Sequence, residues 1–164
     1  MAFGITLGIM MQESAALDNS SLKVVFQGVR DISVENPSPF KILSDESAGE
    51  PLNTHVSIDV QPRGNKEEQR FEVLVSTTVT LSKGDEKLFM LELQYVGYFL
   101  INQVEEDVIP LILFVQCPTL LWPSIRFLVS QLTQESGLHP LVLQPVDFME
   151  LLRKKMENEA SAEE

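Results

Sequence analysis

The sequence predicts an α+β fold: a four-stranded antiparallel sheet followed by two C-terminal helices. Three observations carry that expectation. Segments with period-two alternation all lie before residue 102. Residues 71–102 read as one long hairpin. Beyond them the apolar residues recur at helical spacing.

The elements follow in chain order. Residues Met1 to Met11 are mostly apolar, but no basic residue precedes Lys23 and the run is too short to span a bilayer. Residues 1–20 are therefore expected to be a disordered extension rather than a signal peptide. Leu22 to Asp31 (LKVVFQGVRD) is rich in β-branched and apolar residues and reads as the first strand. Asn36 to Pro51 holds Pro37, Pro39 and Pro51 among Ser, Asp and Gly, the composition of a long loop. A short strand follows, with Val56, Ile58 and Val60 on one face, then a polar turn from Pro62 to Gln69.

The third strand is the clearest. Phe71, Val73, Val75, Val79 and Leu81 share one face with Thr77, while Glu72, Ser76, Thr78, Thr80 and Ser82 share the other. Ser82 to Glu86 is a compact turn in which Gly84 supplies a positive φ. The return strand, Lys87 to Asn102, is apolar on both faces. Phe89, Leu91, Leu93, Tyr95, Phe99 and Ile101 fall on one side, and Leu88, Met90, Val96, Tyr98 and Leu100 on the other. A half-wet strand should not look like this, so an intersubunit role is expected for it.

Two helices complete the chain. Pro118 opens a segment with Leu120, Leu121, Ile125, Leu128, Val129 and Leu132 at helical spacing. Regular helix is expected from Pro123 and ends near Gly137. A loop runs from His139 to Pro145. Asp147 then caps a last helix, with Glu150 as its capping-box partner and Leu151, Leu152 and Met156 on its apolar side. Residues 157–164 are expected to form a disordered acidic tail. Residues 21–156 thus make a single domain.

Composition narrows the function. The 164 residues carry a formal charge of −12, yet 44% are hydrophobic. A nucleic-acid binder, or a protein that docks on an anionic membrane, needs the opposite charge. The apolar content excludes an acidic disordered chain. One cysteine, Cys117, excludes a disulfide framework and fits a reducing, cytoplasmic setting.

Chemistry-bearing motifs do not stand out. Phosphate loops, dinucleotide fingerprints and nucleophile elbows are absent from the sequence. His55 and His139 are too far apart to suggest a zinc site. Cys117 reads as a buried small hydrophobe, and Glu105, Glu106 and Asp107 as a solvated turn. Trp122 is equally consistent with core and with a binding groove. No catalytic residue, metal or cofactor is expected.

Four strings in order make the sequence resemble the bacterial protein-export chaperone family SecB, most closely its alphaproteobacterial members. They are VRDISVENP (29–37), FMLELQYVGYF (89–99), CPTLLWP (117–123) and LVLQPVDF (141–148). The layout matches over residues 22–156. The chain departs from the family pattern in residues 1–20, in the loop Phe40 to Thr54, at Trp122, where Phe is usual, and at Ser124. The resemblance implies a homotetramer, a dimer of dimers with eight-stranded sheets each built from two subunits. It implies an ATP-independent chaperone, not an enzyme, without nucleotide. Such a chaperone binds unfolded precursor proteins in the cytoplasm, keeps them translocation-competent and delivers them to the SecA motor. Nucleic acid and direct membrane insertion have no part in it.

The resemblance also assigns positions. Asp31, Glu35, Met90 and Glu92 match those that dock the basic zinc-binding tail of SecA. Leu91, Leu93 and Tyr95 match the contact between dimers. The client groove is placed along Phe40, Val56, Ile58, Val60, Leu121 and Trp122. Two alternatives stand beside this: a chaperone dedicated to a single partner, and a small hydrolase on an α+β scaffold.

Overall fold

A computed structural model of the chain describes residues 21–37, 39–40, 52–65 and 67–162, with side chains through Asn158. The expected extension, residues 1–20, and most of the loop after Phe40 lie outside these residues. Four strands form one antiparallel sheet: β1 (Leu22–Glu35), β2 (Asn53–Asn65), β3 (Arg70–Lys83) and β4 (Glu86–Ile101). Their spatial order is β1-β4-β3-β2, so the hairpin β3–β4 is central and β1 and β2 are the edges.

The central hairpin turns at Gly84, where φ is +56°. Val73, Val75, Val79, Leu91 and Leu93 stand on its helix-facing side and are almost fully buried. Burying each such side chain contributes about 1.5–3 kcal/mol. Thr77 lies among them, 1% exposed.

Both edge strands are longer than the sequence suggests. β2 continues through Pro62, Arg63 and Gly64 to Asn65, where a polar turn was expected. An edge strand has one unpaired side, and that is where a proline without an N–H is tolerated. β1 runs on to Glu35, and its register slips at Val25 and again at Arg30. Each bulge moves the following residues to the opposite face. Val24, Val29, Ile32 and Val34 therefore face the helix side, and Phe26, Gly28, Asp31, Ser33 and Glu35 the open side.

A continuous helix, α1, spans Ile109–Glu135. Regular turns at Ile109–Leu111 and Cys117–Glu135 flank a π-helical stretch at Ile112–Gln116. Helix was expected to begin only at Pro123, but it begins before both prolines. The wide turn lies just ahead of Pro118, where an ordinary i−4 bond is impossible and the ring needs room. By length and composition α1 could cross a membrane. Leu121, Trp122, Ile125 and Val129 instead bury it against the sheet, at 5% exposure or less. The approach is close at Gly97, where an added Cβ would stand 2.9 Å from Leu121.

The segment after α1 is extended and strapped to it. Trp122 Nε1–H donates to the Gln144 carbonyl at 3.1 Å, and Arg126 Nε–H to that of Leu143 at 2.6 Å. The buried Thr133 hydroxyl donates to Val129 and accepts from the Leu141 N–H. Asp147 caps α2 (Phe148–Ala162) as expected, accepting the Glu150 N–H at 3.1 Å. The helix continues past Met156 through residues expected to be a disordered tail. Glu, Asn, Ala and Ser follow there without Gly or Pro to end it.

Candidate functional site

Among the described residues, helices cover one face of the sheet and leave the other open, and the three predicted groups of site residues divide between them. Asp31, Glu35, Met90 and Glu92 come together on the open face. Across β1 and β4, Ser33 lies opposite Glu92, Glu35 opposite Met90 and Asp31 opposite Gln94. On the other flank of β4, Thr78 lies opposite Glu92 and Ser76 opposite Gln94. The three carboxylates are exposed and Met90 is half-buried. A shallow depression of about 220 Å³ holds Asp31, Glu92, Gln94, Ser76 and Thr78. Among the described residues none of the three carboxylates forms an ion pair. Residues 88–125 contain no Lys or Arg. The patch is thus an anionic ladder with hydroxyl and amide neighbours, able to hold a cationic side chain on each rung.

Leu91, Leu93 and Tyr95 alternate with that ladder and point the other way. They are 0%, 1% and 7% exposed within the single chain. The two-sided apolarity of β4 does not, therefore, put these side chains on a subunit surface. They are core, and an influence on assembly has to pass through the helix they support. The apolar surface that does remain open on the helix side belongs to β1 and α1. Val29 and Ile32 are 46% and 41% exposed, and Leu120 and Phe127 are exposed on the helix.

The six groove residues separate as well. Leu121 and Trp122 are sealed: Trp122 meets Phe148 edge-on at 5.9 Å, and Leu121 packs against Gly97. Phe40 is 82% exposed. Ile58 and Val60 do line a cleft of about 430 Å³, formed with Phe114, Phe148, Leu151 and Leu152. Val56 packs half-buried beside them. The Lys155 ammonium closes one side, 3.5 Å from Asp59 and 5.5 Å above the Phe114 ring. A hydrogen bond from Gln61, then the charge of Lys155, hold the Asp59 carboxyl below its ordinary value of 3.8. The sequence missed the contributions of Phe114 and α2. Helical spacing from Phe148 to Leu152 was the available signal.

Two further positions complete the chemistry. Burial pushes the Cys117 thiol up to about 12, which leaves it protonated and inert. The run Glu105 to Asp107 is an exposed turn, and among the described residues no group of three or more His, Cys, Asp or Glu side chains could hold a metal ion.

Comparison with known proteins agrees with this architecture. The family model for preprotein translocase subunit SecB matches residues 15–159. A protein-export protein SecB from Paramagnetospirillum magneticum is 35% identical over 139 residues, covering 84% of this chain and 87% of that protein. SecB of Rickettsia akari is 33% identical, over 82% of this chain and 88% of its own length. A SecB-like chaperone of Mycobacterium tuberculosis, solved with an antitoxin peptide, superposes with a TM-score of 0.62 at 14% identity. That match covers 77% of this chain and 91% of the other. SecB chaperones are soluble proteins, consistent with α1 lying on the sheet as a core helix. The chain belongs to the SecB family of protein-export chaperones.

Proposed function

We propose that this chaperone is a cytoplasmic, homotetrameric holdase that works without ATP or catalysis. It binds unfolded precursors and addresses them to SecA through the acid ladder of its open sheet face. The observation that carries this reading is the convergence of Asp31, Glu35 and Glu92 on one face, with Met90 among them and with the adjacent Arg30 engaged by Glu72 instead. A basic tail meeting that field is drawn in by long-range attraction and held by rung-wise ion pairs.

Client binding is assigned to the cleft between β2 and α2. Ile58, Val60 and Phe148 offer apolar surface there, and the β2 edge offers backbone groups to an extended chain. Preferential binding of the unfolded state then delays folding by mass action, with no need of nucleotide. Several clefts on one assembly let a long client engage by effective concentration.

Assembly is assigned to the free edge of β1 and the apolar side chains beside it. A fourteen-residue edge strand carrying Val24, Val29, Ile32 and Val34 at 39–46% exposure is a pairing template. A second copy satisfies both its backbone and its apolar side chains.

The test combines mass, client protection and SecA binding on the purified protein. A tetramer that suppresses aggregation of a denatured precursor without nucleotide, and that binds SecA in a salt-sensitive way, supports the reading. A monomer with no effect on aggregation overturns it. Ile32→Asp should lower the assembly's mass while the circular dichroism stays that of the folded chain. An unchanged mass removes β1 from the interface.

A further inference from the structure

Beyond the acid ladder, the open face carries an aromatic pair that the family-matched positions do not include. Phe26 and Tyr98 lie opposite each other on β1 and β4, with ring centroids 5.9 Å apart and planes tilted by 49°. They are 53% and 43% exposed. Both are held in place. A Cβ at Gly28 would lie 3.0 Å from the far carbon of the Phe26 ring, so the ring extends along the strand over Gly28, towards Asp31. The Tyr98 hydroxyl donates to Glu72, which raises the pKa of that hydroxyl. Glu72 also accepts from Arg30 at 3.1 Å. Arg30 is the extra residue at the second bulge of β1, so the bulge fixes the tyrosine through the carboxylate between them.

The rungs of the open face then run in a fixed order. Phe26/Tyr98 is followed by Gly28/Val96, Asp31/Gln94, Ser33/Glu92 and Glu35/Met90. Same-side residues of a strand repeat about every 7 Å, and so do those of an extended peptide laid along it. We propose that Phe26 and Tyr98 form an apolar shelf at the end of the acid ladder. On it, a basic partner peptide seats an aromatic or large aliphatic side chain while its cationic side chains meet Asp31 and Glu92. This rests on the reading of the ladder as a docking site and adds to it the pattern of the peptide. Two rungs separate the shelf from Asp31, so the apolar residue stands about four positions from the first basic residue. Orientation follows from charge: Arg70 stands at the aromatic end, where the Arg30 guanidinium is paired with Glu72, and the carboxylates Asp31, Glu92 and Glu35, unpaired among the described residues, run away from it.

Such a shelf gives specificity that charge alone does not supply. A purely electrostatic site accepts any cationic segment and loses it in salt. An aromatic contact on a rigid support survives salt, and fixing the ring beforehand reduces the ordering cost of binding.

The experiment uses the full chain and two labelled lysine-rich peptides read by fluorescence anisotropy. One peptide carries a tryptophan about four residues from its nearest lysine, and the other has serine in its place. Wild-type protein should bind the tryptophan peptide about tenfold more tightly. Phe26→Ser should remove most of that preference and leave the affinity for the serine peptide unchanged. Tyr98→Phe keeps the ring but loses its tie to Glu72, and should reduce the preference in part. The proposal is overturned if wild type shows no preference, or if Phe26→Ser weakens both peptides equally. It is also overturned if that variant changes the mass of the assembly, since the shelf would then belong to a second copy. Failure of the ladder itself shows separately, as equal binding of the serine peptide to wild type and to Glu92→Lys. The tryptophan contrast remains readable in that case.

Discussion

The two faces of the sheet are built from the same strands and do different work. Leu93 and Glu92 are neighbours in sequence, yet Leu93 is 1% exposed under the helix layer and Glu92 stands in solvent. Along β4 the odd positions from Phe89 to Ile101 are buried, and the even positions carry Met90, Glu92, Gln94 and Tyr98 to the open side. The covered face is specified by volume and tolerates little change. The open face keeps buried Leu74, Leu88 and Val96, but its exposed positions carry charge and two aromatic rings, and substitution at those positions is expected to leave the fold in place. A single strand therefore carries core on one side and the residues of the proposed docking face on the other.

The sharpest break in that comparison is at Leu93. Leu93→Ala should cost about 2–5 kcal/mol, read as a lower urea midpoint. A loss below about 0.5 kcal/mol would mean that Leu93 is not core. Gly97→Val comes next, because its methyls enter the space of Leu121. The expected cost is about 1–3 kcal/mol, measured in the same way. A neutral result would show that α1 does not seat on β4 at that point.

Cys117 sharpens the comparison through pH. Its thiol rises from 9.0 to about 12 on burial, so the folded chain holds a proton that the unfolded chain releases. The associated stability is intact below pH 9.0 and is lost as pH climbs from 9.0 towards about 12. At neutral pH a thiol reagent should modify the denatured chain and spare the native one. Rapid modification of native protein would contradict the burial.

The smallest effect is expected at the rim of the cleft. Asp59 titrates below 3.8, so its ion pair with Lys155 contributes above that pH and fades as acid protonates the carboxylate. Both side chains are about half exposed, so Asp59→Asn should cost only a few tenths of a kcal/mol. A urea titration at neutral pH checks this, and a cost above 1 kcal/mol would mark the pair as structural.

Much of the fold was legible in the residues themselves. β3 was readable because a strand with one dry face alternates, as Val73, Val75 and Val79 do, and β4 because the turn at Gly84 sends the chain back along it. The Asp147 cap was readable because its chemistry is local. What escaped depends on long-range context. No periodicity announces the bulges at Val25 and Arg30, and these decide which residues of β1 face outward. The sheet order makes β2 an edge, and only an edge lets Pro62 lie within a strand. The wide turn at Ile112–Gln116 lets the helix start well before Pro123, where regular helix was expected to begin. At the site, alternation placed Met90 and Glu92 together, but the family resemblance, in agreement with the apolar excess of β4, pointed to a subunit contact at Leu91, Leu93 and Tyr95. Those side chains meet their own chain's helix layer, which a local pattern does not reveal.

The open face is proposed to address a basic partner independently of the covered face. Titration calorimetry of SecA into wild-type protein and Glu92→Lys, at low and high salt, separates the two when paired with a urea midpoint and a mass for each protein. Glu92→Lys should lose SecA binding at low salt while mass and midpoint stay within error of wild type. Undiminished binding by that variant, or binding lost only together with the fold, would contradict it.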